Sequence, residues 1–352
     1  MPKLKDGAFD IESIYVEIIM YNSKIIGVGR YIPKRVVTNF DLEKIMDTSD
    51  AWIRERTGIV ERHFADVAGG ETNSYMGAEA SKSALKMAGL KASDIDFIIY
   101  ATLSPEYFFP GSGCGLQQKL GIPGVGALDV RNQCTGFIYA LSVADQFIKT
   151  GMYKNILVVG GEVQSAGLNL TTEGRDVAVL FGDGAGAVVL TATEEKEKGI
   201  LKSNLHADGN FMKELSVENP GSGSNPFVDV EMVENGSIFP HMIGRMVFKH
   251  AVTRFPEVIK ETFDDVGLPV SDVDLVIPHQ ANERITEAVQ MRLELPREKV
   301  FRNIHKYGNT TAASIPIALS EALEEGLIKD GTLLCLAAFG SGFTWGASLI
   351  RW

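Results

Sequence analysis

The chain alternates short, unbroken apolar runs with longer stretches in which apolar positions recur every three or four residues. Residues 95–102 (IDFIIYAT), 156–161 (ILVVGG), 185–190 (AGAVVL), 273–277 (VDLVI) and 333–338 (LLCLAA) are apolar with little alternation. Runs of that length predict strands buried on both faces. Helical periodicity predicts helices over 71–88, 136–150, 283–293 and 311–325. Strands alternating with helices predict an α/β fold.

The pattern also repeats. Ser93-Asp94-Ile95-Asp96-Phe97-Ile98-Ile99 returns as Ser271-Asp272-Val273-Asp274-Leu275-Val276-Ile277, 178 residues later. The approach to a strand at Lys149-Thr150-Gly151 resembles Glu324-Glu325-Gly326, and Gly182-Asp183-Gly184 resembles Gly340-Ser341-Gly342. Three junctions in one order predict two copies of one α/β unit, 20–195 and 196–352, with a site at their junction. Residues 1–19 fall outside this plan. Met20, ahead of a strand at 25–28, is a candidate start that would make them an upstream extension without an assigned role.

Composition narrows the class. With 352 residues, the chain is long enough for two domains or two fused halves. Its net charge of −11 argues against a nucleic-acid partner, which needs a basic footprint. Three cysteines make no disulfide framework and point to a reducing compartment. No apolar run reaches the roughly 18 residues of a membrane span, and Glu12 and Glu17 interrupt the only apolar stretch near the N-terminus. A soluble cytoplasmic enzyme that neither binds nor crosses a membrane is the expectation.

Candidate chemistry gathers at three turns. Cys134 follows a strand at 125–130 and opens the helix that starts near Gly136. Backbone N–H groups and the helix dipole there favour a thiolate, and Thr135 and Gly136 leave room for an acyl group. The alternative is a buried structural cysteine, the reading adopted for Cys114 and Cys335. His279, in Pro278-His279-Gln280-Ala281-Asn282, follows a strand of the second half, where open α/β sheets place their sites. Otherwise it is a hydrogen-bonded loop histidine. Asn309, in Gly308-Asn309-Thr310-Thr311, opens another helix, where it would serve as a cap if it has no chemical role. No Cys/His spacing suggests a metal site. Cys, His and Asn in this order also occur in papain-like proteases, but the local signature of those enzymes is missing around Cys134.

These motifs resemble the β-ketoacyl-acyl-carrier-protein synthase III family, from about Ser23 to Trp352. The resemblance rests on Ser49-Asp50-Ala51-Trp52-Ile53-Arg54-Glu55-Arg56-Thr57-Gly58-Ile59, Phe109-Pro110, Cys134-Thr135-Gly136-Phe137, Phe181-Gly182-Asp183-Gly184-Ala185-Gly186, Pro278-His279-Gln280-Ala281-Asn282, Gly308-Asn309-Thr310 and Gly340-Ser341-Gly342-Phe343-Thr344-Trp345-Gly346. It implies the thiolase fold: two pseudo-twofold βαβαβαββ halves in five layers (αβαβα), forming a homodimer. It implies that Cys134 takes an acyl group from acyl-CoA. His279 and Asn309 then promote decarboxylation of malonyl-acyl carrier protein, whose carbanion attacks the acyl thioester and starts a fatty acid. Backbone N–H groups of Cys134 and of the Gly340-Ser341 turn form the oxyanion hole. No metal or redox cofactor takes part.

Binding roles also follow from the resemblance. Trp52 and Arg175 match positions that sandwich the CoA adenine, and Arg56 one near a CoA phosphate. Lys249 and Arg284 match carrier-protein docking positions, in a region also holding Arg245, Arg254 and Arg292, with Met291 where a lysine is common. Phe109 matches a position that reaches into the partner's acyl pocket. The chain departs from the family at Arg131-Asn132-Gln133, which replaces a run of small residues, and over 210–239, which is longer and loop-rich. Both are expected to reshape the acyl pocket. Relatives on this scaffold make alkylquinolones or α-pyrones, or acylate hydroxyls. A non-catalytic carrier-binding paralogue would not need Cys134, His279 and Asn309 together.

Overall fold

A computed structural model describes residues 21–352; the proposed extension, 1–19, lies outside the described residues. The first sheet is built from β1 (Asn22–Tyr31), β2 (Phe97–Ala101), β3 (Gly126–Val130), β4 (Asn155–Glu162) and β5 (Gly184–Thr193). Their spatial order is β1-β5-β4-β2-β3. The second sheet contains β6 (Gly199–Ala207), β7 (Leu275–Pro278), β8 (Leu333–Gly340) and β9 (Thr344–Arg351), in the order β7-β8-β9-β6. A parallel bridge from Val276 to Val300 extends it beyond β7.

The two sheets repeat one topology. In the first, β1 and β4 flank β5 antiparallel, while β2 runs parallel to β4 and β3. In the second, β6 and β8 flank β9 antiparallel, and β7 runs parallel to β8. The repeat extends to single hydrogen bonds. The Asp96 N–H donates to the Asn155 carbonyl at 2.9 Å, and its carboxylate accepts from the Asn155 N–H at 2.8 Å. Asp274 makes the same pair of bonds with Leu333, at 3.0 and 2.8 Å.

Helices α1 (Asp50–Thr57), α2 (Asn73–Ala88), α3 (Ser112–Leu120), α4 (Gly136–Lys149), α5 (Gly244–Asp264), α6 (Glu283–Arg292) and α7 (Ser314–Glu324) complete the framework. Side chains alternate across each strand, and this explains the unbroken apolar runs. Ile99 and Ala101 of β2 join Phe137 and Leu141 of α4 and Ile315 and Leu319 of α7 between the sheets. Ile98 and Tyr100 face outward against α2 and α3. In β8, Leu334, Leu336 and Ala338 face the centre, while Leu333, Cys335 and Ala337 face α5 and α6. The layers therefore run α-β-α-β-α. The segment 194–198 links the halves, between β5 and β6.

Close approach of the central helices needs missing side chains. A Cβ on Gly160 of β4 would lie 2.3 Å from the Ala312 carbonyl oxygen, so glycine there lets the turn Thr311–Ala313, which leads into α7, settle on the first sheet.

Candidate active site

Cys134 sits in the turn Gln133–Thr135, between β3 and α4. Gln133 holds φ +46°, a left-handed conformation that costs a non-glycine residue about 1–3 kcal/mol. Thr135 Oγ1 lies 2.8 Å from Thr344 Oγ1 of β9, which ties the turn to the second half. Gly340, at the end of β8, completes the packing: a Cβ there would lie 2.6 Å from the Cys134 Cβ and 3.1 Å from its sulfur.

The electrostatics of Cys134 correct the expectation of a resting thiolate. Burial pushes its thiol up to about 12, and the nearby Glu162 carboxylate acts in the same direction. The backbone N–H groups of Ser341 and Cys134 pull the other way without overcoming burial. Those donors are worth more to a negative charge that forms during reaction than to the resting sulfur. Cys335 is buried in β8, as expected, but Cys114 is exposed. It lies on the short helix α3, whose buried residues are Ser112, Gly113 and Leu116.

His279 lies just beyond β7 and is 1% exposed. Its N–H donates to the Ala337 carbonyl at 2.8 Å. Gln280 locks the turn: its amide nitrogen donates to the Pro278 carbonyl at 2.8 Å, and its amide oxygen accepts from the Asn303 N–H at 3.0 Å. On the ring, Nδ1 lies 2.6 Å from Ser314 Oγ. Nε2 is buried and has no hydrogen-bond partner among the described residues. Burial depresses the imidazole to about 3, so the ring is neutral at physiological pH.

Asn309 is buried in the loop before α7. Its main chain is held by Leu180 and Gly182, at 2.8 and 3.1 Å. Its side-chain oxygen accepts from the Thr311 N–H at 2.9 Å, a bond within the turn; the helix caps that follow are Thr310 and Ala313, so Asn309 is not the cap that its position suggested. This leaves the amide nitrogen available as a donor. The turn Thr311–Ala313 packs on the turn Gln133–Thr135. The segment that follows Asn309 thus lies against the Cys134 turn, and His279 meets the same segment through Ser314.

A cavity of about 820 Å³ opens at Cys134. Leu103, Val163 and Phe181 supply apolar wall, and Arg131 and Gln133 stand beside the thiol. The long segment contributes Met212, Leu215, Val217 and Ile238, so both departures from the family pattern meet at this cavity. Among the described residues, no group of His, Cys, Asp and Glu side chains could hold a metal ion.

Trp52, Arg56 and Arg175 also come together. The Arg56 and Arg175 guanidinium carbons lie over the Trp52 ring, 4.5 and 5.5 Å from its centroid. Arg175 also donates to the Asp47 carbonyl at 2.5 Å. An adenine between Trp52 and Arg175 needs about 7 Å, two stacking distances, so Arg175 must swing outward to admit it. Asn282 donates to the Arg56 carbonyl at 2.9 Å and joins α1 to the start of α6. On the same side, Lys249 and Arg284 are exposed, and Arg284 lies over Phe248 at 5.8 Å. Neither forms an ion pair with a described residue, whereas Arg254 pairs with Glu257. Phe109 is 82% exposed and turned away from the chain's own cavity wall.

Sequence reasoning missed Glu162 and Ser314. Glu162, at the end of β4, accepts hydrogen bonds from Thr102, Leu103 and Ser104, and burial raises its carboxyl to about 7. An isolated acid after an apolar run offered the only signal for it. Ser314 occupies a first-turn helix position, where serine is common for local reasons.

Fold and site together define an acyl-transferring condensing enzyme with the thiolase fold. Comparison with known proteins gives the particular family. The family model for 3-oxoacyl-[acyl-carrier-protein] synthase III matches residues 128–209, and that for its C-terminal part matches 263–352. The chain is 48% identical to the β-ketoacyl-[acyl-carrier-protein] synthase III of Aquifex aeolicus over 330 residues, 94% of this chain and 99% of that one. It is 46% identical to a Bacillus anthracis synthase over 331 residues, with the same coverage. The Aquifex crystal structure superposes with a TM-score of 0.86, covering 94% of this chain and all of that one. A priming β-ketosynthase of the R1128 polyketide pathway, 31% identical, also gives 0.86, over 94% of this chain and 97% of that one. The chain belongs to the β-ketoacyl-acyl-carrier-protein synthase III family.

Proposed function

We propose that this enzyme transfers an acyl group from acyl-CoA to Cys134 and then condenses it with malonyl-acyl carrier protein, releasing CO₂ and 3-ketoacyl-carrier protein. The supporting observation is a segment, Thr311 to Ser314, that packs on the turn of a buried thiol faced by two backbone N–H groups and holds a buried neutral histidine whose Nε2 has no hydrogen-bond partner among the described residues.

In the first step the Cys134 sulfur attacks the CoA thioester. CoA leaves as its thiol with the proton that Cys134 gives up. The N–H groups of Cys134 and Ser341 stabilise the tetrahedral oxyanion, and Gly340 provides the space for that approach. In the second step the Nε2–H of His279 and the amide of Asn309 donate to the malonyl thioester oxygen. Charge accumulates there as the carbon–carbon bond to CO₂ breaks. The carbanion attacks the acyl thioester on Cys134 and expels the Cys134 thiolate. The thiolate then takes a proton from water and returns to the resting thiol, so each turnover consumes one proton and needs no metal or redox cofactor.

The acyl-CoA enters past Trp52, Arg56 and Arg175, and the carrier protein docks on Lys249 and Arg284. A homodimer suits the first sheet: β3 is its edge strand, Leu128 on it is exposed, and the exposed Tyr107, Phe108 and Phe109 lie in the loop between β2 and α3. An uncovered edge with apolar neighbours is a surface that proteins cover.

The test is mass spectrometry of the enzyme after incubation with mixed acyl-CoAs, followed by addition of malonyl-carrier protein. An acyl adduct on Cys134 that is discharged as 3-ketoacyl product supports the reading. Cys134→Ser should form no adduct. His279→Ala and Asn309→Ala should acylate but fail to decarboxylate the malonyl group. Equal loss of both steps in the His279 variant would contradict this division of labour.

A further inference from the structure

We propose that Ser314 is a positioning residue that sets the tautomer of His279, holding the imidazole proton on Nε2 and so keeping that nitrogen a hydrogen-bond donor. This rests on the proposed role of His279 in malonyl decarboxylation and adds the residue that makes it possible.

The argument is a count of hydrogens. A serine hydroxyl has one hydrogen to donate and lone pairs to accept with. Ser314 Oγ has two polar neighbours among the described residues. The backbone N–H of Gln280, at 3.4 Å, can only donate. His279 Nδ1, at 2.6 Å, can do either. The hydroxyl hydrogen therefore has a single acceptor, Nδ1. If Nδ1 carried the proton instead, two groups would be buried without a partner among the described residues, the hydroxyl hydrogen of Ser314, which is 2% exposed, and the Nε2 lone pair, against one, the Nε2–H that awaits a substrate oxygen, in the other tautomer. Each buried polar group left without a partner is penalised. Accepting at Nδ1 leaves a neutral imidazole protonated at Nε2, the nitrogen without a partner among the described residues. Burial keeps a second proton off the ring.

The position of Ser314 supports the same assignment. It is the first residue of α7 and directly follows the turn Thr311–Ala313 that packs on the Cys134 turn. One short segment thus carries Asn309, orients His279 and braces the nucleophile.

The first measurement uses the wild-type enzyme labelled with ¹⁵N-histidine. Long-range ¹H–¹⁵N correlation should show His279 neutral and protonated at Nε2 at pH 7. Protonation at Nδ1 would overturn the proposal without any variant. In Ser314→Ala, the ¹⁵N shifts should move toward a mixture of tautomers. Decarboxylation of malonyl-carrier protein should fall at least about tenfold, the cost of one buried hydrogen bond, while acylation of Cys134 stays near wild type. Ser314→Thr, which keeps the hydroxyl, should restore both the shifts and the rate. Unchanged shifts and an unchanged rate in Ser314→Ala would refute the assignment. If the wild type shows no decarboxylation at all, the proposed function fails, yet the ¹⁵N shifts still decide the role of Ser314.

Discussion

Gly340 and Cys134 are packed so closely that no side chain fits between them: a Cβ on Gly340 would stand 2.6 Å from the Cys134 Cβ and 3.2 Å from its backbone nitrogen. The end of β8 in one half therefore serves as the floor under Cys134 of the other. The neighbouring Ser341 N–H faces the sulfur because the chain can come this near.

Gly340→Ala is expected to displace the Cys134 turn. Misplacing a reacting group by about 1 Å can cost 10²-fold in rate, so the burst of acyl-enzyme should slow by about that factor. Overpacking should also lower stability by about 1–3 kcal/mol. Rapid-quench acylation and urea unfolding measure the two effects. A variant with wild-type burst kinetics would show that this approach is not needed for acyl transfer.

The buried acid and the buried base are expected to shift the pH dependence of stability in opposite directions. Folding lowers His279 from its ordinary 6.5 to about 3, so its contribution is present above pH 6.5 and lost as pH falls. Folding raises Glu162 from 4.5 to about 7, so its contribution is complete below pH 4.5 and lost as pH rises toward 7. At about 1.4 kcal/mol per pH unit, acidification from pH 7 to 5 removes about 2 kcal/mol through His279 and adds about 3 kcal/mol through Glu162. The two nearly offset each other. Relative to wild type, Glu162→Gln should lose stability over that interval, and His279→Gln should gain it. Urea midpoints at both pH values check this, and parallel pH slopes in all three proteins would refute it.

Much of this architecture was legible because burial on both faces leaves unbroken apolar runs, and because the pattern around Asp96 recurs at Asp274. The two aspartates make the same hydrogen bonds, so here the sequence repeat is a structural repeat. Cys134 was legible from its place between strand and helix, but its ionisation was not. Local turn geometry argued for a thiolate, while the burial that reverses this depends on tertiary packing, including the contact with Gly340 from the other end of the chain. Cys114 was misjudged because small neighbours in sequence do not reveal which helix face meets the core. Ser314 acts through a residue 35 positions away, and no local pattern encodes that pairing.

Trp52→Ala is expected to raise KM for acyl-CoA and leave kcat nearly unchanged. Stacking of a base on an aromatic ring is worth about 1–3 kcal/mol, so the rise should be about tenfold. Adenine binding far from the thioester is uniform binding, which cancels from kcat. Steady-state kinetics with acyl-CoA, compared with an acyl-pantetheine lacking the adenine, isolate the effect. If Trp52→Ala weakened both substrates equally, the ring would be supporting the fold and not the nucleotide.

Reversing charge at Lys249 or Arg284 is expected to raise KM for malonyl-carrier protein and spare acylation by acyl-CoA. On a chain of net charge −11, these exposed cations form no ion pair with the described residues and suit an acidic partner. Salt screens such contacts over about 10 Å at 0.1 M, so the difference between wild type and Lys249→Glu should shrink as salt is added. Unchanged KM in both variants would move docking to another face.

Phe109 sets the last expectation, the length of the acyl chain that the enzyme accepts. Its ring is 82% exposed and meets Phe108 edge to face, which in turn meets Phe227. An aromatic ring left so exposed, close to the uncovered edge of β3, is placed to enter a second copy of the chain. In a homodimer it would fill part of the partner's acyl cavity. Forcing extra methylene groups into occupied space costs roughly 1–3 kcal/mol, or about 5- to 150-fold in kcat/KM. A short primer, from acetyl to about hexanoyl, is therefore expected. Phe109→Ala should shift the optimum to longer chains without lowering the rate of malonyl decarboxylation, because the ring carries no base. The measurement is kcat/KM across acyl-CoAs from two to about twelve carbons, for wild type and variant. A wild-type maximum at eight carbons or more would mean that Arg131, Gln133 and the Met212–Val217 wall open a channel that Phe109 does not close, and the condensing mechanism would stand without this length limit.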